Sequence, residues 1–530
     1  MSFNLSELFE LVADAVPDAV AMVTVDRRLT YAELEERANR LAHHLAEAGI
    51  GPGDHVGLHL QNGTEYVETM LAAFKLRAVP ININYRYVER ELEYLYNHTD
   101  LAAVVLHRQY APLVAGVAAG VPTLRHLLVV DDDSGAKLPH GAAIYEEVLA
   151  KASPIRDFVG RRSDDIYCAC TGGTTGLPKG VLWTHEDIFF ASMGGGDPSR
   201  YLGAITSPEQ LVERIFSPGL IQLVTPPLMH VSAHWSAFQA LLGGGTVVLP
   251  SPGSFDPAGV WKLIQDEGVH IVTLVGDAMM RPLLEEIRRS PAEGIALGVL
   301  ASGGAIVSPA TKELAHELLP NTAIVDGFGS TETGITGTDG KATNERSSFA
   351  MDETTQVLRD DLTPVEPGSG EVGKLARRGR IPLGYYKDPE KTAETFVEKE
   401  GHRWVLPGDQ ATVEADGSIV LLGRGSTSIN TGGEKVFPEE VESTLVGHPA
   451  IKDVLVVGVP DATWGQRVVA VIEVRAGESI SLDEVKSHCK ATLAGYKVPR
   501  EVVVVDAILR NPNGKADYVW ARERAASALT

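Results

Sequence analysis

The chain has 530 residues, of which 44% are hydrophobic and 22% charged, and a formal net charge of −23. A single hydrophobic core seldom grows past about 300 residues, so more than one domain is expected. The acidic balance argues against a nucleic-acid partner and against anionic membrane surfaces, although lysines, arginines and backbone dipoles can still hold a small anion locally.

The opening Met-Ser-Phe-Asn-Leu-Ser-Glu has no charged n-region and no cleavable apolar stretch. No apolar run anywhere is long enough to span a bilayer, so a cytoplasmic protein without a transmembrane segment is expected. Leu5 to about Val16 has the apolar spacing of a helix. Arg28-Leu-Thr-Tyr31 reads as a strand leading into a helix, with Thr30 and Glu33 spaced as a capping box and Gly49 and Pro52-Gly53 as the stop. Val56 to Leu60 reads as a buried strand, Glu65 to Leu76 as a helix and Ala78 to Asn82 as the next strand. Strands alternating with helices predict a layered α/β domain with a mostly parallel sheet.

Residues 171 to 180, Thr-Gly-Gly-Thr-Thr-Gly-Leu-Pro-Lys-Gly, follow the strand-like run Ile166 to Cys170. Glycines let the backbone curl so that several N–H groups face one anion, threonine hydroxyls add donors, and Lys179 adds a mobile charge. The pattern predicts a phosphate-binding loop; a flexible surface linker is the plainer alternative. It fits the common P-loop poorly, because Pro178 precedes Lys179 and Gly180 follows it. Cys168 and Cys170 share a strand face and read as small core residues. With Cys489 they make neither a disulfide framework nor a zinc set.

Between Phe189 and Gln222 lies a Gly- and Pro-punctuated stretch with a short helix near Gln210 to Ile215. It reads as a surface insertion, with a lip of a substrate entrance as the alternative. Pro226-Pro-Leu-Met-His230 follows, then His234, Trp235 and Phe238, which either line a pocket or pack in the core. Gly276-Asp-Ala-Met-Met280 directly follows the strand His270 to Val275, where open α/β sheets place ligand-binding residues; its methionines suit an adaptable pocket or plain core.

Two further clusters, Ala301-Ser-Gly-Gly-Ala305 and Asp326-Gly-Phe-Gly-Ser-Thr-Glu-Thr-Gly334, each follow an apolar run. Glycines at a strand end let a flat purine approach the backbone, and Phe328 offers a stacking face. Thr331 can donate to a phosphate, and Glu332 is a hard oxygen ligand suited to Mg²⁺. Two tight turns are the plainer alternative. Beyond Lys341 the texture changes to short strands, read at Gly370 to Gly373, Gly384 to Tyr386 and Pro389 to Thr392. After Gly423-Arg-Gly-Ser-Thr-Ser-Ile-Asn430 the last hundred or so residues alternate helix and strand and end in Arg510-Asn-Pro-Asn-Gly-Lys515.

The loop and the motifs after it, six in order over about residues 20 to 520, resemble the adenylate-forming enzymes: acyl-CoA synthetases, luciferases and peptide-synthetase adenylation domains. The resemblance implies an N-terminal domain over 1–423, with a small β subdomain about 346–423, and a mobile C-terminal α+β lid over 424–530. It implies that Thr171, Gly172, Gly173, Thr174, Thr175, Gly176 and Lys179 bind phosphates. Gly303, Gly304 and Ala305 would flank the adenine, with Asp326, Gly327, Phe328, Gly329 and Ser330 around it and Phe328 stacked on it. Thr331 would hold the α-phosphate, and Glu332 with Thr175 the Mg²⁺. Asp326 stands where relatives often carry an uncharged residue. Asp409 would grip the ribose, and Arg424 its phosphate side. Ser426 occupies the hinge, where many relatives have Asp or Lys, and Asn430 replaces a Lys of some members and takes no role.

Gly432 and Gly433 would pass the pantetheine arm of CoA, and Lys515 would be the mobile catalytic lysine. His230 would gate the carboxylate, with His234, Trp235, Gly276, Met279, Gly303 and Gly304 around the acyl group. The implied reaction joins a carboxylic acid to CoA through an acyl-adenylate, using ATP and Mg²⁺. The three patterns Cys170 to Thr174, Gly276 to Met280 and Asn430 to Pro438 look most similar to actinobacterial acyl-CoA synthetases for fatty acids or steroid side chains. A medium- or long-chain or bulky acid is therefore expected. Loading of a carrier protein, luciferase-like oxygenation, and a catalytically silent acyl- or nucleotide-binding protein are the alternatives. A homodimer is left open.

Overall fold

The computed structural model describes residues 1–172, 178–198, 202–215, 218–291, 294–305, 307–338, 348–349, 353–424, 427–431, 434–461, 465–493, 495–510 and 515–529. The first helix, Leu5–Ala15, is capped by Asn4, whose side chain accepts from Ser6 N. The next, Tyr31–Glu47, starts on the Thr30/Glu33 capping box and buries Leu34, Ala38, Leu41 and Leu45. The chain leaves that helix through Gly49 at φ +81°. The helix Thr64–Lys75 is buried along its whole length. That burial forces its one lysine to find partners: Lys75 Nζ meets Glu35 at 2.8 Å and also Glu10.

Two sheets dominate the part of the chain before residue 346. One has five parallel strands in the order Val79–Asn82, His55–His59, Leu101–His107, His126–Val130, Ala143–Ile144. The other has eight, and its parallel centre carries Thr246–Val248, Ile221–Val224, Ile271–Leu274, Val299–Gly303 and Ala323–Ser330 side by side. Antiparallel strands close both edges of the larger sheet. Helices cover the faces, so the strands read as apolar runs rather than as alternating ones. The mostly parallel, layered reading of the sequence matches this architecture.

From Ser348 to Arg424 an antiparallel seven-stranded sheet follows. One sequence reading is corrected here. Pro389–Thr392 is no strand but the first turn of a helix, Pro389–Thr395, whose cap is Asp388 accepting from Lys391 N. Proline at the first helical position needs no N–H partner, so it starts the helix instead of breaking it. The strand read at 370 to 373 begins only at Gly373. From Ile429 on, a five-stranded sheet built around Ile451–Asp461 and Gly465–Val474 carries three helices. Its two apolar clusters hold only residues of that segment.

The described residues of the 189–222 stretch pack against the core. Ile205 and Leu211 are buried in the main core, and Asp197 Oδ2 accepts from Leu202 N at 2.6 Å and Gly203 N at 2.7 Å. Among the described residues no helix is long and apolar enough to cross a membrane.

Candidate active site

The phosphate-loop candidate sits on a hairpin. Ile166–Gly172 and Pro178–Thr184 pair antiparallel from Ile166↔Thr184 to Gly172↔Pro178, which puts Thr171 opposite Lys179. Gly173, Thr174, Thr175 and Gly176 lie outside the described residues. The hairpin is clamped from below by Asn82. Its amide donates to Cys170 O and to Met229 O, each at 2.8 Å, and its carbonyl accepts from Cys170 N at 2.8 Å. One buried amide therefore fixes this hairpin to the segment that ends in His230. Cys168 and Cys170 are buried and free, as their shared strand face predicts. A methyl group on Gly180 would lie 2.9 Å from Cys168 Sγ, so glycine is what lets the two strands close over the thiols.

Lys179 Nζ donates to Asp388 Oδ2 at 2.7 Å and lies 5.6 Å from the centre of the Tyr385 ring. The Tyr385 hydroxyl donates to Glu332 Oε1 at 2.9 Å. Thr331 is held by its backbone carbonyl, which accepts from Trp183 Nε1 at 2.9 Å. The turn carrying both residues joins Ala323–Ser330 to Gly334–Thr338 and is closed by Ser330 N donating to Thr333 Oγ1 at 2.9 Å. A methyl on Gly329 would meet Gly334 O at 2.1 Å, so the hairpin needs glycine there.

Val299–Gly303 and Ala323–Ser330 run parallel with Gly303 opposite Gly327 and Ser302 opposite Asp326. Ser302 Oγ accepts from Gly276 N at 2.9 Å, which ties the start of the helix Gly276–Arg289 to the same strand end. Met279 is buried, and its sulfur accepts from Thr225 Oγ1 at 3.6 Å. Asp326 is buried and ion-paired with Lys312 at 2.9 Å. The Phe328 ring rests on Phe349, with centres 4.5 Å apart and planes tilted by 53°. Ala305 is half-buried beyond the Gly303-Gly304 turn.

His230 precedes the helix Val231–Leu242, and its Nε2 is buried with no hydrogen-bond partner among the described residues. Burial, followed by the nearby Lys515, His234 and Arg86, pushes its pKa down to about 3, so the imidazole is neutral at physiological pH. Lys515 reaches the same place from the far end of the chain: a methyl on Gly304 would lie 3.5 Å from Lys515 Cε. Gly304 has φ +81°, a conformation that a side chain would strain. Lys515 thus lies against Gly304 and near enough to His230 to bias its ionisation, although it follows them in the chain by 211 and 285 residues.

His234 sits one turn along but faces the core. Its Nδ1 meets Tyr167 Oη at 2.9 Å and its Nε2 meets Tyr66 Oη at 3.2 Å, so both ring nitrogens are engaged. Trp235 and Phe238 are buried beside it. Asp409 is half-buried at the start of the strand Asp409–Val413, opposite Arg424 in the antiparallel register. Arg424 is described by its backbone alone, and Ser426, Gly432 and Gly433 lie outside the described residues.

Among the described residues no three His, Cys, Asp or Glu side chains form a metal cluster. Mg²⁺ does not need one, because it is usually held by one or two carboxylates while phosphate oxygens and water complete its shell. Glu332 supplies a hard carboxylate with one oxygen engaged by Tyr385, a donor set that fits. Three contributors to this site were not read from the sequence: Asn82, Tyr385 and Asp388. A polar Asn inside the apolar run Val79–Asn82 was the one available signal for the first.

Comparison with known proteins agrees with this geometry. The family model described as AMP-binding enzyme matches residues 9–386, and the one described as AMP-binding enzyme C-terminal domain matches 440–515. A 3-oxocholest-4-en-26-oate–CoA ligase from Rhodococcus rhodochrous is 46% identical over 536 residues, covering 99% of this chain and 96% of the relative. A medium/long-chain-fatty-acid–CoA/3-oxocholest-4-en-26-oate–CoA ligase from Mycobacterium marinum is 45% identical over 99% of this chain and 97% of the relative. Among solved structures, an anthranilate CoA ligase bound to anthranoyl-AMP superposes with a TM-score of 0.86 at 23% identity over 99% of this chain and 98% of that one, a likeness of fold. A Mycobacterium tuberculosis fatty acyl CoA synthetase superposes with a TM-score of 0.71 at 26% identity, covering 99% of both chains.

Proposed function

The chain belongs to the AMP-binding enzyme family, and on that premise we propose that it is an AMP-forming acid–CoA ligase acting on medium- or long-chain fatty acids or bulky steroid side-chain acids. The observation that carries the reading is Lys515 lying against Gly304 and close to the buried His230 Nε2, which has no partner among the described residues. A cation and a neutral imidazole at one point suit a substrate carboxylate: the lysine attracts the anion, and the imidazole places it without adding charge.

In the first half-reaction a carboxylate oxygen attacks the α-phosphorus of ATP, the bond to the β-phosphate oxygen breaks, and pyrophosphate leaves. Negative charge builds on the α-phosphate in the transition state, and Lys515 lies where it can stabilise that charge. Lys179 and the threonines of the 171–176 loop bind the outgoing phosphates, while Asp409 and Arg424 hold the ribose side. The turn at Thr331-Glu332 stands on the metal side, where Mg²⁺ would neutralise phosphate charge. In the second half-reaction the CoA thiol adds to the acyl carbon and AMP departs. The lid, 424–530, turns about Ser426 between the two steps, withdrawing Lys515 and presenting Gly432-Gly433. Gly303, Gly304 and Met279 leave an apolar, adaptable wall for the acid, whereas His234 serves to rigidify the core beneath it.

AMP release with ATP, Mg²⁺ and a panel of acids, with and without CoA, tests the proposal. CoA-dependent turnover of a long-chain or steroid side-chain acid is expected. Preference for acetate overturns the substrate class, and pyrophosphate exchange without gain from CoA overturns CoA as the acceptor.

A further inference from the structure

Tyr385 lies outside the motifs that carry the proposed chemistry, yet it touches two of them. Its strand, Gly384–Tyr385, adds to the phosphate hairpin with Gly384 opposite Leu182 and Tyr385 opposite Val181. Side chains two apart on a strand share a face, so Val181 and Lys179 point the same way, and Tyr385 faces that side. This register brings the Tyr385 ring beneath Lys179, 5.6 Å from Nζ, while the hydroxyl reaches Glu332 Oε1 at 2.9 Å.

The placement is rigid. Gly384 has φ +147°, and a methyl there would lie 2.6 Å from Thr392 Cγ2, so the strand is pressed onto the following helix. Thr392 Oγ1 accepts from Tyr385 N at 2.9 Å and donates to Asp388 O at 2.7 Å. Asp388 is pinned in turn, because one oxygen caps that helix while the other holds Lys179. The ring of Tyr385 is braced edge-on by Phe396, with centres 6.0 Å apart.

We infer that Tyr385 is a positioning residue for MgATP. Its hydroxyl aims the Glu332 carboxylate, and its ring, with Asp388, fixes the direction from which Lys179 meets the phosphates. Lys179 and Glu332 come from different sheets, and Tyr385 sets the spacing between them. The inference rests on the proposed ligase reaction, because it assigns Lys179 to phosphate and Glu332 to the metal side.

The test compares wild type with Tyr385→Phe, which keeps the ring, and Tyr385→Leu, which removes it. Stabilisation against heat by ATP with and without Mg²⁺ gives a readout independent of turnover. Tyr385→Phe should lose most of the added stabilisation due to Mg²⁺ while keeping that of ATP alone, and Tyr385→Leu should lose both. In kinetics, Tyr385→Phe should raise KM for MgATP about tenfold, the scale of one hydrogen bond to a charged group. KM for the acid and for CoA, and thioester formation from supplied acyl-adenylate, should stay unchanged. A Tyr385→Phe protein that binds and uses MgATP like wild type overturns the inference, as does an equal rise in all three KM values. Wild-type protein that binds MgATP yet forms no AMP with any acid overturns the ligase reading alone; wild-type protein that gains nothing from MgATP overturns both.

Discussion

At the scale of single residues the sharpest assignment is Lys515. Its stem lies against Gly304 and its charge helps keep His230 neutral, so it occupies the acid-side of the proposed site. Replacement by alanine removes a cation from the point where phosphate charge develops, a loss on the order of 3 kcal/mol or about a hundredfold in rate. Lys515→Ala should therefore cripple adenylation, measured as acid-dependent pyrophosphate exchange, and leave thioester formation from supplied acyl-adenylate nearly intact. Equal losses in both assays would remove Lys515 from the first half-reaction. The resemblance pointed to this lysine because it follows the sequence Pro512-Asn-Gly514 at the close of a long, ordered set of motifs. The link from Tyr385 to Glu332 was not legible in the sequence, because it depends on strand register between sheets, which spacing in the chain does not encode. Phe328 shows the same limit: aromatic character offered a stacking face, but only the fold shows that ring resting on Phe349.

Elements were read well wherever a local signal was complete. The Thr30/Glu33 capping box and the glycine stop bracketed a helix that runs Tyr31–Glu47. The helix Pro389–Thr395 was misread, although Asp388-Pro389 is itself a cap followed by a first-position proline; the surrounding short strands masked it. What joins elements is less visible, and Asn82 is the clearest instance. Its side chain spends three hydrogen bonds on the backbone of two other segments, Cys170 and Met229. Asn82→Ala leaves those buried groups unsatisfied, at roughly 1–3 kcal/mol for each group that water cannot reach. Urea unfolding should show a loss of about 3 kcal/mol. Because the clamp sets the phosphate hairpin against the His230 segment, KM for ATP should rise as well. A stability loss with unchanged kinetics in the folded fraction would make the clamp purely architectural.

For the whole molecule, the decisive question is what holds the lid in the pose that delivers Lys515. The proposed reaction has the lid travel as a body, which its own two apolar clusters suit, and its seam with the rest would then have to be weak enough to break in each turnover. On the far side of that seam from Lys515 stands the helix Gly276–Arg289. Arg281 donates to Val446 O at 2.8 Å, placing a cation at the negative C-terminal end of the lid helix Pro438–Val446. Glu285 accepts from Arg475 of the lid at 2.9 Å and lies 3.5 Å from Arg281, so one carboxylate serves both arginines. The Arg475–Glu285 pair is partly exposed, 28% and 40%, and such pairs contribute up to about 1 kcal/mol, enough to bias a pose without locking it. Arg475→Ala should slow adenylation up to about fivefold and spare or quicken the thioester step, since only the first pose loses a contact. Glu285→Arg gathers three guanidinium groups at one point and should slow adenylation further. Stopped-flow measurement of the two half-reactions separates these outcomes. A slowed thioester step with normal adenylation would assign this contact to the thioester-forming pose and leave Lys515 held by something other than this seam.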